Sequence, residues 1–250
     1  IFLLLTQVLF AQGSFKNANE MYQKGDYNGA IRSYESILDA KQESAEVYFN
    51  LGNCYYKLNK VAPAIYNYEK ALTLKPNDKD ILNNLNFAKK LTIDEIKEVP
   101  KVGFEKLVRD FTATYHYNTW AWISVVLAVV FLLFFLGYYF SALTLSKRIF
   151  FIGMFVVLLA ILISVSSAIF ERNHYNSERP AIIFKEMVSV KSEPKASSSE
   201  VLELHEGTRV FVLESFDGWD KIQLTDGTEG WLEKSDLKEV KECWFACFKF

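Results

Sequence analysis

The chain has 250 residues, 50% of them hydrophobic, 16% aromatic and 23% charged, with a formal net charge of -2. The near-neutral balance gives no electrostatic footprint for nucleic acid, and three cysteines are too few for a disulfide framework. Residues 120–140 and 149–170 contain no Asp, Glu, Lys or Arg, which excludes both a single globular domain and a disordered chain.

Residues 1–11 read IFLLLTQVLFA and are followed by polar GSFKNANE. That apolar run has the length of a signal-peptide core and is too short for a span. No basic segment or initiator Met precedes it, so residues 1–12 are read as a signal peptide truncated at its start. The alternative is a short hydrophobic helix opening the fold.

A fixed period of 34 follows. Tyr27, Ala30, Tyr34 and Ile37 are echoed by Val61, Ala64, Tyr68 and Ala71. The second copy also carries Tyr48, Leu51, Gly52, Tyr55 and Pro76. This segment, 14–92, resembles the tetratricopeptide repeat family, whose pattern is an aromatic, Leu-Gly, Tyr, Ala, an aromatic, Ala and Pro. The first copy departs from it, with Ala18 for Gly and Gln42 for Pro, and its first helix is expected to begin near Ser14. Gly52 and Ala64 would let two helices approach, with Tyr48, Leu51, Tyr55, Tyr68 and Leu72 filling the seam. Asn77 and Asp78 would cap a last helix over 80–91 that carries Leu82 and Leu85. Two repeats and one helix are few for a solenoid, so a partner or the membrane-proximal segment is expected to cover part of the stack.

The resemblance implies a concave groove that binds peptide. Asn19 and Asn53 occupy equivalent places there, as do Asn50 and Asn84, and Tyr56 lies on the same helix as Asn53. Asn side chains offer both a donor and an acceptor to a peptide backbone. A purely structural role for these asparagines is an equal reading. Phe15 and Phe49 stand where some members carry the lysines that grip a C-terminal carboxylate, which speaks against that mode. Cys54 lies between Asn53 and Tyr55 and is expected to be buried and inert.

Residues 93–118 form a linker. Pro100 and Gly103 break helix, and Phe104, Leu107, Val108 and Phe111 then recur beside Lys106 and Arg109. That spacing reads as an amphipathic helix on a membrane surface, or as packing against a soluble domain.

Two transmembrane helices are expected at 119–140 and 149–170, joined by a cytoplasmic loop at 141–148. A span needs about 20 apolar residues. The loop ends in Lys147 and Arg148 without an acid, as a cytoplasmic loop should. With a secreted N-terminus, both soluble parts then lie in the periplasm. Such a short loop requires an antiparallel hairpin. Its packing face is expected along Ala121, Ser124 and Ala128 on one helix and Gly153, Ala160, Ser164 and Ser167 on the other. Neither span carries an ionisable residue, which speaks against an ion pathway.

From 179 to 240 the period changes to two. Val188, Val190, Val210, Val212, Ile222 and Leu224 alternate with polar positions, and Gly207, Gly218 and Gly227 mark turns. The runs VSVKSEP, LHEGTRVFV, DGW and DGTEGWL resemble the bacterial SH3 family, with Gly218 and Gly230 placed where turns hand over to strands. Trp219 and Trp231 are the candidate surface residues; a core or rim role is the commoner one for such tryptophans. The tail, 241–250, reads KECWFACFKF; Cys243 and Cys247 share a helical face but lack further metal ligands.

No metal spacing, cofactor motif, phosphate loop or paired-carboxylate motif appears, and His116, His174 and His205 accompany no nucleophile. The sequence therefore predicts no enzyme and no cofactor. The fold class is a multidomain membrane protein: an α-helical repeat solenoid, a two-helix hairpin and a small all-β SH3-like barrel. This order resembles the Bacteroides aerotolerance (Bat) family. The resemblance implies an inner-membrane scaffold whose partners are Bat proteins of the von Willebrand factor A type and a MoxR-type ATPase. The alternative is an envelope module whose barrel grips peptidoglycan peptides.

Overall fold

The computed structural model describes residues 2–96 and 103–241. Pro100 and the tail with Cys243 and Cys247 lie outside the described residues. The chain divides into two compact units, residues 1–99 with 179–250, and residues 100–178.

In the first unit five helices precede the sheet: α1 (Phe2–Gln23), α2 (Tyr27–Asp39), α3 (Ala45–Lys57), α4 (Val61–Leu74) and α5 (Lys79–Lys89). α1 begins upstream of the expected Ser14, and Gly13 does not interrupt it. Side chains cap the later helices. Asp26 accepts from Gly29 N at 2.9 Å, Ser44 from Val47 N at 3.1 Å, and Asp78 from Asp80 N and Ile81 N at 3.0 and 3.3 Å. Each cap satisfies a backbone donor that the helix start leaves free.

Buried Tyr34 and Tyr68 stand at the centres of the two helix pairs, and half-buried Tyr55 and Leu72 flank the second. Gly52 is required by contact: a Cβ there would lie 2.6 Å from the Tyr68 ring. On α5 the inward residues are Ile81, Leu85 and Ala88, whereas Leu82 is exposed. Leu85 is inward as expected, and Ile81 takes the place expected of Leu82, four residues before Leu85 on the same face.

Seven strands follow: β1 (Pro180–Ile183), β2 (Met187–Lys191), β3 (Glu200–His205), β4 (Arg209–Phe216), β5 (Trp219–Gln223), β6 (Glu229–Glu233) and β7 (Leu237–Glu239). They pair antiparallel in the order β3-β2-β6-β5-β4-β1-β7. Inward Ala181, Ile183, Val188, Val190, Val210, Val212, Ile222 and Leu232 form the barrel core. Gly207, Gly218 and Gly227 have φ of +85°, +82° and +90°, the left-handed region that glycine enters without penalty. Gly230 lies inside β6 rather than at a turn. A Cβ there would meet Val190 at 2.3 Å, so its bareness lets β2 come close.

The expected cover for the short solenoid is a partner or the membrane-proximal segment; in the structure the barrel packs there instead. Ile182, Phe184 and Val240 join the core formed by Ala62, Ile65, Ala71, Ile81 and Leu85, while Ile96 packs on the barrel core.

The second unit holds α6 (Phe104–Thr112), α7 (Tyr117–Phe140) and α8 (Thr144–Ser177). α7 and α8 are long and apolar enough to cross a membrane, and 0% and 11% of their most apolar windows are buried in protein. α8 starts at Thr144, so Lys147 and Arg148 stand in its first two turns rather than in a loop. The two helices interlock by glycine. A Cβ at Gly153 would meet the Phe134 ring at 2.3 Å, and one at Gly137 the Phe150 ring at 2.8 Å. Ser164 is buried and donates to the Trp120 carbonyl at 2.8 Å, with Ser124 Oγ 3.0 Å away. Ala121 and Ala128, expected on this face, are exposed. Trp120 takes the place instead, turned inward as its Nε1 donates to the Thr112 carbonyl at 2.8 Å.

Gly52→Val should lower stability by about 1–3 kcal/mol, since the added atoms overlap the Tyr68 ring. Gly13→Ala meets no atom within 4 Å and should be neutral or gain up to about 1 kcal/mol of helix propensity. Thermal unfolding of the two variants checks the contrast.

Candidate functional site

The first helices of the repeats, α1 and α3, and the final helix α5 are joined by a ladder of asparagines. Asn19 Oδ1 accepts from the Tyr34 hydroxyl and from Asn50 Nδ2, the latter at 3.0 Å. One period later Asn53 Oδ1 accepts from the Tyr68 hydroxyl and from Asn84 Nδ2, both at 2.8 Å. Each rung thus ties a tyrosine of the second helix to two consecutive first helices. The ladder uses one function of each amide and leaves Asn53 Nδ2 and Asn84 Oδ1 for another partner.

Burial dominates the chemistry beneath the ladder. It pushes the Tyr34 phenol up to about 12, with Cys54 adding to the shift and the Asn50 contact opposing it. Burial likewise raises the Tyr68 phenol. The Cys54 thiol is buried and pushed up to about 12 by the same cause, which makes it a poor nucleophile.

Above the second rung lies a concave pocket of about 220 Å³, lined by Tyr22, Asn53, Tyr56, Lys57, Tyr68, Asn84 and Phe87. Three of the five predicted groove residues, Asn53, Tyr56 and Asn84, meet there. Asn19 and Asn50 do not line it; they form the first rung. No carboxylate is among the lining residues, and Lys57 is exposed. Phe87 is 53% exposed, with Lys90 Nζ 5.3 Å from its ring centre. Sequence reasoning missed Tyr22, Lys57 and Phe87. For two of them the signal was available, because Lys57 and Phe87 follow Asn53 and Asn84 by one helical turn. The pocket can hold a peptide backbone by the amides, an apolar side chain against the rings and an anionic group at Lys57.

On the barrel, Trp219 and Trp231 are half-buried on the face opposite inward Asp220 and Ile222. Trp231 pairs across strands with Lys221 and Lys191, and Trp219 with Phe216 and Glu233. They do not join the repeat pocket. Among the described residues no group of three His, Cys, Asp or Glu could hold a metal ion.

The comparisons agree with this geometry. Residues 45–78 match the tetratricopeptide repeat model, residues 18–59 a TPR repeat model, and residues 187–238 the bacterial SH3 domain model. Among curated proteins, the chain is 33% identical over 66 residues to the BBSome complex member BBS4 homolog of Drosophila melanogaster. That match covers 26% of this chain and 14% of the relative, so the chain spans about one seventh of that protein's length. Both modules are of the kind that binds other proteins and typically does no chemistry.

Asn53→Ala strands the buried Tyr68 hydroxyl and should cost about 1–3 kcal/mol, whereas Tyr68→Phe should cost about 0.5–1.5 kcal/mol. Urea unfolding measures both. A phenol whose folded pKa is raised holds its stabilising neutral form below the ordinary value of 10.0 and loses it as pH rises towards about 12. The repeat unit should therefore weaken over that window, and Tyr34→Phe should flatten the profile.

Proposed function

We propose that the chain is a membrane-anchored scaffold whose repeat groove docks a segment of a partner protein. The observation that carries this reading is the pocket of Asn53, Tyr56, Lys57, Asn84 and Phe87, open on the first-helix side while the barrel packs on α4. Its amides suit an extended backbone, and its single lysine suits an acidic group beside an apolar side chain. Confinement to the membrane raises the effective concentration of such partners without any new contact.

The finer reading is a member of the Bat family of the BatE type. Residues 1–12 would be its signal peptide, and α7 and α8 its inner-membrane anchor, with repeats and barrel in the periplasm. Its partners would be Bat proteins of the von Willebrand factor A type and a MoxR-type ATPase system, in envelope stress or aerotolerance. The domain order and the basic residues at 147 and 148 support it. Repeats and barrel share a core, which supports placing both on one side of the membrane, with two crossings between them.

A second reading rests on Trp231 between Lys191 and Lys221 on the barrel's outer face. Lys191 and Lys221 pair with Glu200 and Glu229 at 3.9 and 2.9 Å, so the half-buried ring has a rim of both charges, which suits a peptidoglycan stem peptide that carries both an amine and a carboxylate.

Crosslinking and affinity capture of the full chain from native membranes test the main reading. Recovery of a von Willebrand factor A-type protein, reduced at least about tenfold by Lys57→Glu with Phe87→Ala, is the expected result. Equal recovery by the variant would overturn the groove, and capture without such proteins would overturn the Bat assignment. Pelleting of the full chain with peptidoglycan, abolished by Trp231→Ala, would favour the second reading.

A further inference from the structure

The contact between repeats and barrel is built from both sides. Ile182 and Val240 are barrel residues at 0% and 1% exposure, yet their neighbours are Ala62, Ile65, Ile81 and Leu85 of the repeats. Ile96, from the repeat side, packs on the barrel core in return. The Tyr66 and Phe184 rings meet edge to face at 5.5 Å.

The polar contacts are as specific. The Asp94 carboxylate accepts from the His205 backbone N–H at 2.7 Å and from the Thr208 hydroxyl at 2.6 Å, and His205 Nδ1 lies 2.8 Å from it. All three groups flank one turn of the barrel. The turn itself is bare at Gly207. A Cβ there would lie 2.9 Å from Val61, 3.0 Å from Thr92 and 3.2 Å from Ile65. Glu69, on the same face of α4, lies 3.7 Å from Arg209 of the barrel and 3.3 Å from Lys89.

We propose that the barrel is the cap of the repeat stack: the outer face of α4 with residues 92–94 is an interaction surface whose partner is the chain's own barrel, locked by Asp94. The physical reason is the size of the stack. Solenoid repeats bury their cores against neighbours, and terminal repeats need a cap with a polar outside. Here two repeats and α5 leave Ile65 and Leu85 without a further repeat, and Ile182 and Val240 take its place. The barrel packs on α4, and α5, whose Asn84 and Phe87 form one wall of the pocket, packs on the same helix. Partners of the barrel are left with its other faces.

Burial pushes the Asp94 carboxyl up, but the hydrogen bonds from Thr208 and His205 outweigh it and hold the group below the usual carboxylate range. A carboxylate with a lowered pKa stabilises the contact above that range and loses its contribution as pH falls through the lowered value.

Hydrogen exchange on the full chain in detergent micelles tests the cap. The His205 amide, which Asp94 accepts, should be protected in the wild type and lose at least about tenfold in protection in Asp94→Ala. Gly207→Ala, made from the barrel side, should do the same. Amides of Ile222 and Leu232 in the barrel and of α2 should keep theirs, which separates undocking from misfolding. Unchanged protection of His205 in both variants would overturn the proposal. If Asp94→Ala unfolds both modules, Thr208→Val, which removes a single donor, decides on the same amides.

Discussion

The contact on which the rest of this molecule depends is the burial of Ile182 and Val240 among repeat residues. Neither hydrophobic core is complete within its own stretch of sequence. Fully burying an aliphatic side chain of this size contributes about 1.5–3 kcal/mol, a large share of the stability of a small domain. The chain between the two halves of this core is the apolar hairpin. The position of the barrel on α4 also leaves the first-helix side of the stack for a partner.

The polar residues of the repeats divide along the same lines. Asn19 and Asn50 are held in the first rung, where their amides join α1, α2 and α3. Asn53 and Asn84 form the second rung and still face the pocket, because α5 ends the stack and no further first helix covers them. One repeated pattern thus ties the helices in both copies, and its second copy also lines the pocket. The buried tyrosines make the arrangement stiff: each hydroxyl has its acceptor, and removal of that acceptor leaves a donor in a dry site.

The hairpin is held by shape. α7 and α8 are long and apolar enough to cross a membrane, and in a bilayer no hydrophobic gain would separate helix from lipid, so close fit would decide the pairing. Gly137 receives Phe150 and Gly153 receives Phe134, each glycine making room for a ring of the other helix. Ser164 adds a hydrogen bond to the Trp120 carbonyl near the water-facing end.

Much of this was legible in the residues. The period of 34, the two charge-free segments and the alternating valines specify helix pairs, apolar helices and strands, because each reflects local periodicity. Asp78 at the start of α5 and the left-handed glycines of the barrel turns were readable for the same local reason. What remained hidden depends on contacts between residues far apart in the chain. The shift of the hairpin face from Ala121 and Ala128 to Trp120 came from a hydrogen bond to Thr112. Ile81 rather than Leu82 faces inward because it packs in the core with α4. Local patterns specify which modules exist and in what order. That repeats and barrel form one body rests on contacts such as that of Asp94 with His205, 111 residues apart, and no local pattern records such a meeting.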